Sequence, residues 1–164
     1  MSSNVKETVI QFGEGGFLRG FVDYFFHKLR EKGLYDGKIV VVQPIEKGMC
    51  QMLADQNCEY NLFLRGINNG QVVNEHTHVT SISRALNPYT QYEDYIALAV
   101  SPDLRVLVSN TTEAGIEYLG TEKLTDTPPK FYPAKVTQFL YKRFQARLKG
   151  LILLPCELID NNGD

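Results

Sequence analysis

Apolar residues along the chain switch between two rhythms. Val5, Val9, Ile10 and Phe12 form a short apolar stretch that stops at Gly13, the pattern of a strand buried on both faces. From Phe17 to Glu31 the positions Phe17, Leu18, Phe21, Val22, Phe25, Phe26 and Leu29 recur at helical spacing, and Gly33 closes the element. Arg19, Asp23, Lys28 and Arg30 take its other faces, and the Phe21 and Phe25 stripe reads as core. Lys38 to Gln43 is a β-branched run without alternation, which predicts a second buried strand beside the first and completes a βαβ unit.

The middle of the chain has shorter runs. Tyr60–Arg65, Gln71–Glu75 and His78–Ser83 are strand-like, and Asn68-Asn69-Gly70 parts the first two with a hairpin signal, so an antiparallel strand insertion is predicted here. A helix over Tyr89–Ala99 follows Asn87-Pro88, and an uninterrupted strand over Leu104–Val108 comes next. Pro128-Pro129 punctuates a loop before a helix over Pro133–Leu148; Gly150 ends that helix and Leu151–Leu154 reads as a last strand. This alternation predicts an α/β fold, a Rossmann-like doubly wound and mostly parallel sheet, whose ligands sit beyond the carboxyl ends of the strands.

Composition narrows the partners. At 164 residues the chain suits one domain, and 17 basic against 19 acidic residues leave no footprint for nucleic acid or anionic lipid. Cys50, Cys58 and Cys156 form no CxxC pair, which argues against a disulfide framework or zinc site and for the reducing cytoplasm. The N-terminus lacks an apolar signal core, and the longest aliphatic run, Leu151–Leu154, falls far short of a membrane span. His76 and His78 have no third ligand nearby and read as surface strand residues, so no metal is expected; Cys156 reads as a buried thiol.

Chemistry is therefore sought at the strand ends. Gly13, Gly15 and Gly16 lie between the first strand and its helix, where glycines permit a tight turn and close backbone approach to a diphosphate. In the GxGxxG count the third glycine is replaced by Leu18, so close helix packing is expected to be arranged through Gly20 instead. Arg19, in the first helical turn, either neutralises a phosphate or is a solvated helix arginine, and the sequence favours neither. The second strand ends in Gln43-Pro44 where a ribose-holding acid is usual, with Glu46 and Lys47 just beyond. On this evidence a dinucleotide and S-adenosylmethionine, the methyltransferase cofactor, both fit.

Taken together, VIQFGEGGFLRGFVD (Val9–Asp23), IVVVQPI (Ile39–Ile45), VSNTTEAGIEY (Val108–Tyr118), FYPAKVTQFLYKRF (Phe131–Phe144) and LPCELIDNNG (Leu154–Gly163) resemble the polyol-specific long-chain dehydrogenases, the mannitol dehydrogenase-like family. The resemblance implies NAD as cofactor, with Gly13, Gly15, Gly16, Phe17, Leu18 and Arg19 in the pyrophosphate turn and Gln43 also at the cofactor. Asn110, Thr111, Thr112 and Glu113 would lie at the nicotinamide end, although Thr111 or Thr112 ahead of an acidic residue also reads as a helix cap. Asn162, of an Asn-Gly element, would stabilise an oxyanion, or else is a turn residue before Gly163.

The family's chemistry is hydride transfer between nicotinamide and a sugar carbon, here with a keto sugar acid of hexuronate breakdown as the small-molecule substrate. Its general acid/base lysine, in a KxxxxNxxH arrangement, belongs to a later helical domain, and that pattern does not occur in this chain. Residues 1–164 are accordingly expected to form an incomplete N-terminal NAD-binding domain without turnover of its own, whose open sheet edge favours self-association. The rivals are another keto sugar or polyol substrate within the family, a non-catalytic NAD-binding module, and a methyltransferase.

Overall fold

A computed structural model describes residues 5–162, without the side chains of 113 and 114. Strand β1 (Glu7–Phe12) runs into two short helices, α1 (Gly16–Gly20) and α2 (Val22–Glu31), and then β2 (Lys38–Val42). Helix α3 (Cys50–Asp55), the hairpin β3 (Tyr60–Asn68) and β4 (Gln71–Val79), strand β5 (Ile82–Leu86) and helix α4 (Tyr92–Ala97) follow. Strand β6 (Val106–Ser109), helix α5 (Tyr132–Gln145) and β7 (Ile152–Pro155) complete the order.

Five of these strands form one sheet in the order β5-β2-β1-β6-β7, and every neighbouring pair in it is parallel. Successive side chains of β1 and β2 enter opposite layers. Val9, Ile39 and Val41 join Leu18, Val22 and Leu53 on one face, whereas Ile10, Phe12, Val40 and Val42 meet Tyr95, Leu104 and Phe139 on the other. With both faces covered there is no solvent side to select polar residues, which is why these runs do not alternate. On the second face Arg143 of α5 donates to the carbonyls of Ala99, Ser101 and Leu104, fastening that helix to the approach of β6.

Several expectations are corrected. The first helix is broken at Phe21, whose φ of −121° and ψ of −77° divide it into α1 and α2. Phe21 and Phe25 are not core: Phe21 stacks on Phe17 and meets Phe25 at a tilt, and all three stay about half exposed, because Leu18, Val22 and Phe26 form the stripe that meets the sheet. Strand β5 belongs to the parallel sheet beside β2 rather than to the insertion, which consists of the β3–β4 hairpin alone. Helix α3 was not anticipated at all. Cys156 is half-buried rather than enclosed, whereas Cys50 and Cys58 are buried. The last strand is found as expected, as the sheet edge β7, with Ile152, Leu153 and Leu154 exposed.

Candidate functional site

The first turn after β1 is built on one indispensable glycine and two free ones. Gly13 has φ +125°, and its N–H donates to the Val42 carbonyl at 3.1 Å. A Cβ there would lie 3.0 Å from the Asn110 carbonyl oxygen and 3.2 Å from Leu18 Cδ1, so both backbone shape and space demand glycine. A Cβ at Gly15 or Gly16 would meet nothing within 4 Å. Among the described residues no atom requires those two glycines, and the open space beside Gly15 belongs to a cavity.

That cavity, about 480 Å³, lies at the carboxyl ends of β1, β2 and β6. Connections from β1 lead to β2 on one side, while β6 lies on the other, so this is where the winding of the sheet reverses direction and a crevice opens. Gly13, Glu14 and Gly15 face it from the first turn, Pro44 to Glu46 and Met49 from the loop after β2, and Asn110 to Thr112 from the end of β6. Tyr89 and the segment Lys130–Tyr132 form the outer wall.

Leu18, expected at the cofactor, is instead a core residue. It is 1% exposed and packs beneath Gly13, so it supplies the helix-to-strand packing expected of Gly20. Gly20 only approaches Leu62 of the hairpin, at 3.8 Å from its notional Cβ. Gln43 is likewise turned away from the cavity. Its Nε2 donates to the carbonyls of Ile45 and Glu46, and its Oε1 accepts from Cys50 N, so it shapes the loop that forms a cavity wall rather than reaching a ribose. Glu14 braces the same loop by accepting from Met49 N at 3.1 Å, and burial raises its carboxyl pKa. Phe17 is absent from the cavity lining and exposed beside Phe21.

Below the turn lies a polar cluster that sequence reasoning missed. Gln11 Nε2 donates to the Gly13 carbonyl at 3.1 Å and to Asp23 Oδ2 at 3.4 Å, and both residues are wholly buried. Tyr60 donates to the Arg19 carbonyl at 2.6 Å while the Arg19 guanidinium lies over its ring. Asp23 Oδ1 and Arg19 Nε are buried without partners. Burial pushes the Asp23 carboxyl up to about 7, against the opposing pull of Gln11 and Arg19. Its sequence signal was a charged residue flanked by the apolar Val22 and by Phe26 one turn on.

At the β6 end, Asn110 donates to the Cys156 carbonyl at 2.6 Å and Thr111 N donates to Glu157 Oε1 at 3.2 Å. Asn162 Nδ2 donates to the Glu157 carbonyl and to its Oε2, at 2.9 and 3.3 Å. Buried Glu157 thus brings the predicted Asn110–Thr112 and Asn162 groups together, although nothing in its sequence surroundings marked it. In this arrangement both amide hydrogens of Asn162 are engaged, and the residue faces a neighbouring hollow with Leu107, Ser109 and Tyr132. Thr112 precedes a 3-10 turn, Glu113–Ile116, without a side-chain capping bond. The Glu113 side chain and Gly163 lie outside the described residues. His76 and His78 are exposed on β4 and share Asn61 as a partner; His78 also pairs with Glu59.

These residues fit a dinucleotide on the evidence of the protein itself. Gly15 leaves a cradle that a Cβ would enter, and Thr111 Oγ1 is buried at the cavity without a partner among the described residues, whereas Gly16 and Arg19 do not line the cavity and Arg19, over the Tyr60 ring, offers its charge from below the turn. Because α1 has only five residues, its dipole is short, so the turn's own N–H groups and Arg19 would carry the attraction for phosphate.

Residues 7–164 match the family described as the mannitol dehydrogenase Rossmann domain. The chain is 51% identical over 161 residues to an altronate oxidoreductase of Phocaeicola vulgatus, covering 96% of this chain and 34% of the relative. Against the altronate oxidoreductase of Bacillus subtilis the identity is 46%, with 96% and 34% covered. Thus the chain spans about a third of the length of the curated relatives it matches. The structure of Pseudomonas fluorescens mannitol 2-dehydrogenase in ternary complex with NAD and D-mannitol superposes with TM-score 0.78 at 21% identity, covering 94% of this chain and 34% of that one. A substrate-free D-sorbitol dehydrogenase gives TM-score 0.75 at 19% identity, covering 94% and 35%.

Proposed function

The chain belongs to the mannitol dehydrogenase Rossmann-domain family, and from that premise we propose that it is the NAD-binding part of an altronate oxidoreductase, also called tagaturonate reductase. The observation that carries this reading is the cavity where the winding of the sheet reverses, with a glycine cradle on one side and the unpartnered Thr111 hydroxyl on the other. Family membership also removes the methyltransferase reading.

In this proposal Gly15 and Gly16 present backbone N–H groups to the diphosphate, Gly13, whose own N–H is held by the Val42 carbonyl, shapes the turn that lets the ligand approach, and Arg19 contributes its charge. Asn110, Thr111, Thr112 and Glu113 stand at the nicotinamide end. When bound, NADH supplies the hydride that reduces the keto carbon of the sugar acid. Asn162 becomes a donor to the reacting oxygen only on leaving Glu157. The general acid/base lysine is assigned to the length of the relatives that this chain does not span.

The loop after β2 supports NAD over its 2′-phosphorylated form. Glu46 lines both the cavity and the hollow beside it, whereas Lys47 lines only that second hollow, with Gln51 and Ala54. A carboxylate there repels a 2′-phosphate and accepts from a ribose hydroxyl. Glu46→Lys is therefore expected to narrow the preference for NADH over NADPH by about tenfold, equivalent to roughly 1.4 kcal/mol; an unchanged ratio of dissociation constants rejects this role.

Fructuronate reductase and mannitol dehydrogenase are the alternatives within the family; the 51% identity to an altronate oxidoreductase, against 21% to a mannitol 2-dehydrogenase, favours the first reading. No helix among the described residues is long and apolar enough to cross a membrane, and a cytoplasmic site of action is part of the proposal, as is self-association through exposed β7. The chain has no tryptophan, so NADH emission can be followed with little protein background. Saturable enhancement of that emission, with no effect of S-adenosylmethionine, is the expected result; failure of NADH to bind overturns the reading.

A further inference from the structure

We propose that Lys135 is a positioning residue for the dinucleotide cavity: its buried ammonium group ties the turn after β5 to the segment before α5 and so holds the cavity's outer wall in place. The inference rests on the NAD-binding reading above and deepens it.

Lys135 occupies the buried stripe of α5, four residues before the core Phe139, and it is 0% exposed. A lysine at such a position is costly to bury unless its charge is used. Its Nζ donates to the Lys130 carbonyl at 2.6 Å and to the Tyr89 hydroxyl at 3.0 Å, and it lies 4.9 Å from the centre of the Tyr89 ring. Both Lys130 and Tyr89 face the cavity, from different segments of the chain. Tyr89 closes the triangle by donating to the same Lys130 carbonyl at 3.3 Å. On the other side of the wall, Glu122 Oε1 accepts from Phe131 N at 2.8 Å, and its Oε2 is buried without a partner. Tyr95 donates to the Lys135 carbonyl, fixing the helix end beneath. The wall is thus pinned at two points by groups that nothing in the hydrophobic packing demands.

The charged and titratable groups around this point are Glu122 from the preceding loop, Glu46 from the loop after β2, Tyr89, Lys130 and Tyr95. Burial brings the Lys135 ammonium down to about 8, with Glu122 pulling the other way. As pH rises through that value the proton is lost, and with it the charge-assisted bonds to Tyr89 and Lys130. An anionic dinucleotide in the cavity favours the protonated form, so cofactor affinity falls as pH climbs above 8.

The test is NADH binding to the chain between pH 7 and 9.5, with amide hydrogen exchange measured without cofactor. Unaltered protein is expected to lose about fivefold in affinity between pH 8 and 9.5. Lys135→Met fills the same space, keeps its melting temperature at pH 7, binds NADH about fivefold more weakly there and loses the fall above pH 8. Exchange at Phe131 N–H is expected to be about tenfold faster in the free variant. Tyr89→Phe keeps the ring, removes the acceptor and should blunt the same fall, which preserves the test if Lys135→Met does not fold. A wild-type affinity and pH profile in the variants, or unchanged exchange at Phe131, overturns this inference alone. NADH failing to bind unaltered protein overturns the dinucleotide reading and this inference with it.

Discussion

Gly13→Ala is expected to lower stability by about 2–3 kcal/mol and to abolish measurable NADH binding. Two causes act at once. The backbone there has φ +125°, which a side chain strains, and the new Cβ meets the Asn110 carbonyl oxygen at 3.0 Å and Leu18 Cδ1 at 3.2 Å. Leu18 can rotate, but the Asn110 carbonyl belongs to the strand end that forms the opposite side of the cavity. Relief of the clash therefore spreads β1 from β6 and opens the crevice itself. Gly15→Ala is the control, since its Cβ meets no protein atom within 4 Å. It is expected to leave the melting temperature within a degree or two, yet to weaken NADH by about tenfold where the cofactor backbone would approach. Chemical denaturation and NADH titration of both variants decide the matter: loss of stability in Gly15→Ala, or wild-type binding by it, removes the assignment of that glycine to the cofactor.

Asp23→Asn is expected to raise stability at pH 8 and erase most of the pH dependence between pH 4 and 7. The folded carboxyl is pushed up to about 7 from an ordinary 3.8, because it is wholly buried and Arg19 and Gln11 compensate only in part. Between those two values the folded chain holds a proton on Asp23 that the unfolded chain has released, so the contribution of this group to stability is greatest below pH 4 and is lost as pH rises to 7. At about 1.36 kcal/mol per pH unit, the full window amounts to roughly 4 kcal/mol. The same charge stands under the turn proposed to hold a diphosphate, so NADH should bind more tightly below pH 7, and Asp23→Asn should flatten that part of the profile while keeping the fall above pH 8. Melting temperatures measured across pH 4–8 for the two proteins provide the check. Parallel curves would mean that Asp23 does not titrate in this range.

The residues that strengthen the site were hidden from sequence for a common reason. Besides near neighbours, Gln11, Asp23, Lys135 and Glu157 each have a partner twelve or more residues away: Gln11 and Asp23 bond to each other, Lys135 to Tyr89 and Glu157 to Thr111. Local spacing holds no trace of such pairs. What did mark two of them was a charged residue set among apolar positions, Asp23 beside Val22 and Lys135 beside Val136. Leu18 and Gln43 go the opposite way: one lies in α1 just after the glycine turn and the other directly follows β2, but nearness along the chain does not decide where a side chain points. Their side chains turn inward, one into the core and one into its own loop.

Periodicity and glycine placement by themselves determined that β1, β2 and β6 are parallel core strands and that a turn of glycines follows the first, and they directed the search to the carboxyl rim, where the cavity lies. Those features depend on residues close together in the chain. Strand membership of β5, the break at Phe21 and the outward aromatic rings were decided only in three dimensions, because each depends on which surfaces other segments leave uncovered. The wall held by Lys135 and the joint made by Glu157 are of the same kind: a buried charge takes its meaning from the partner that folding delivers to it.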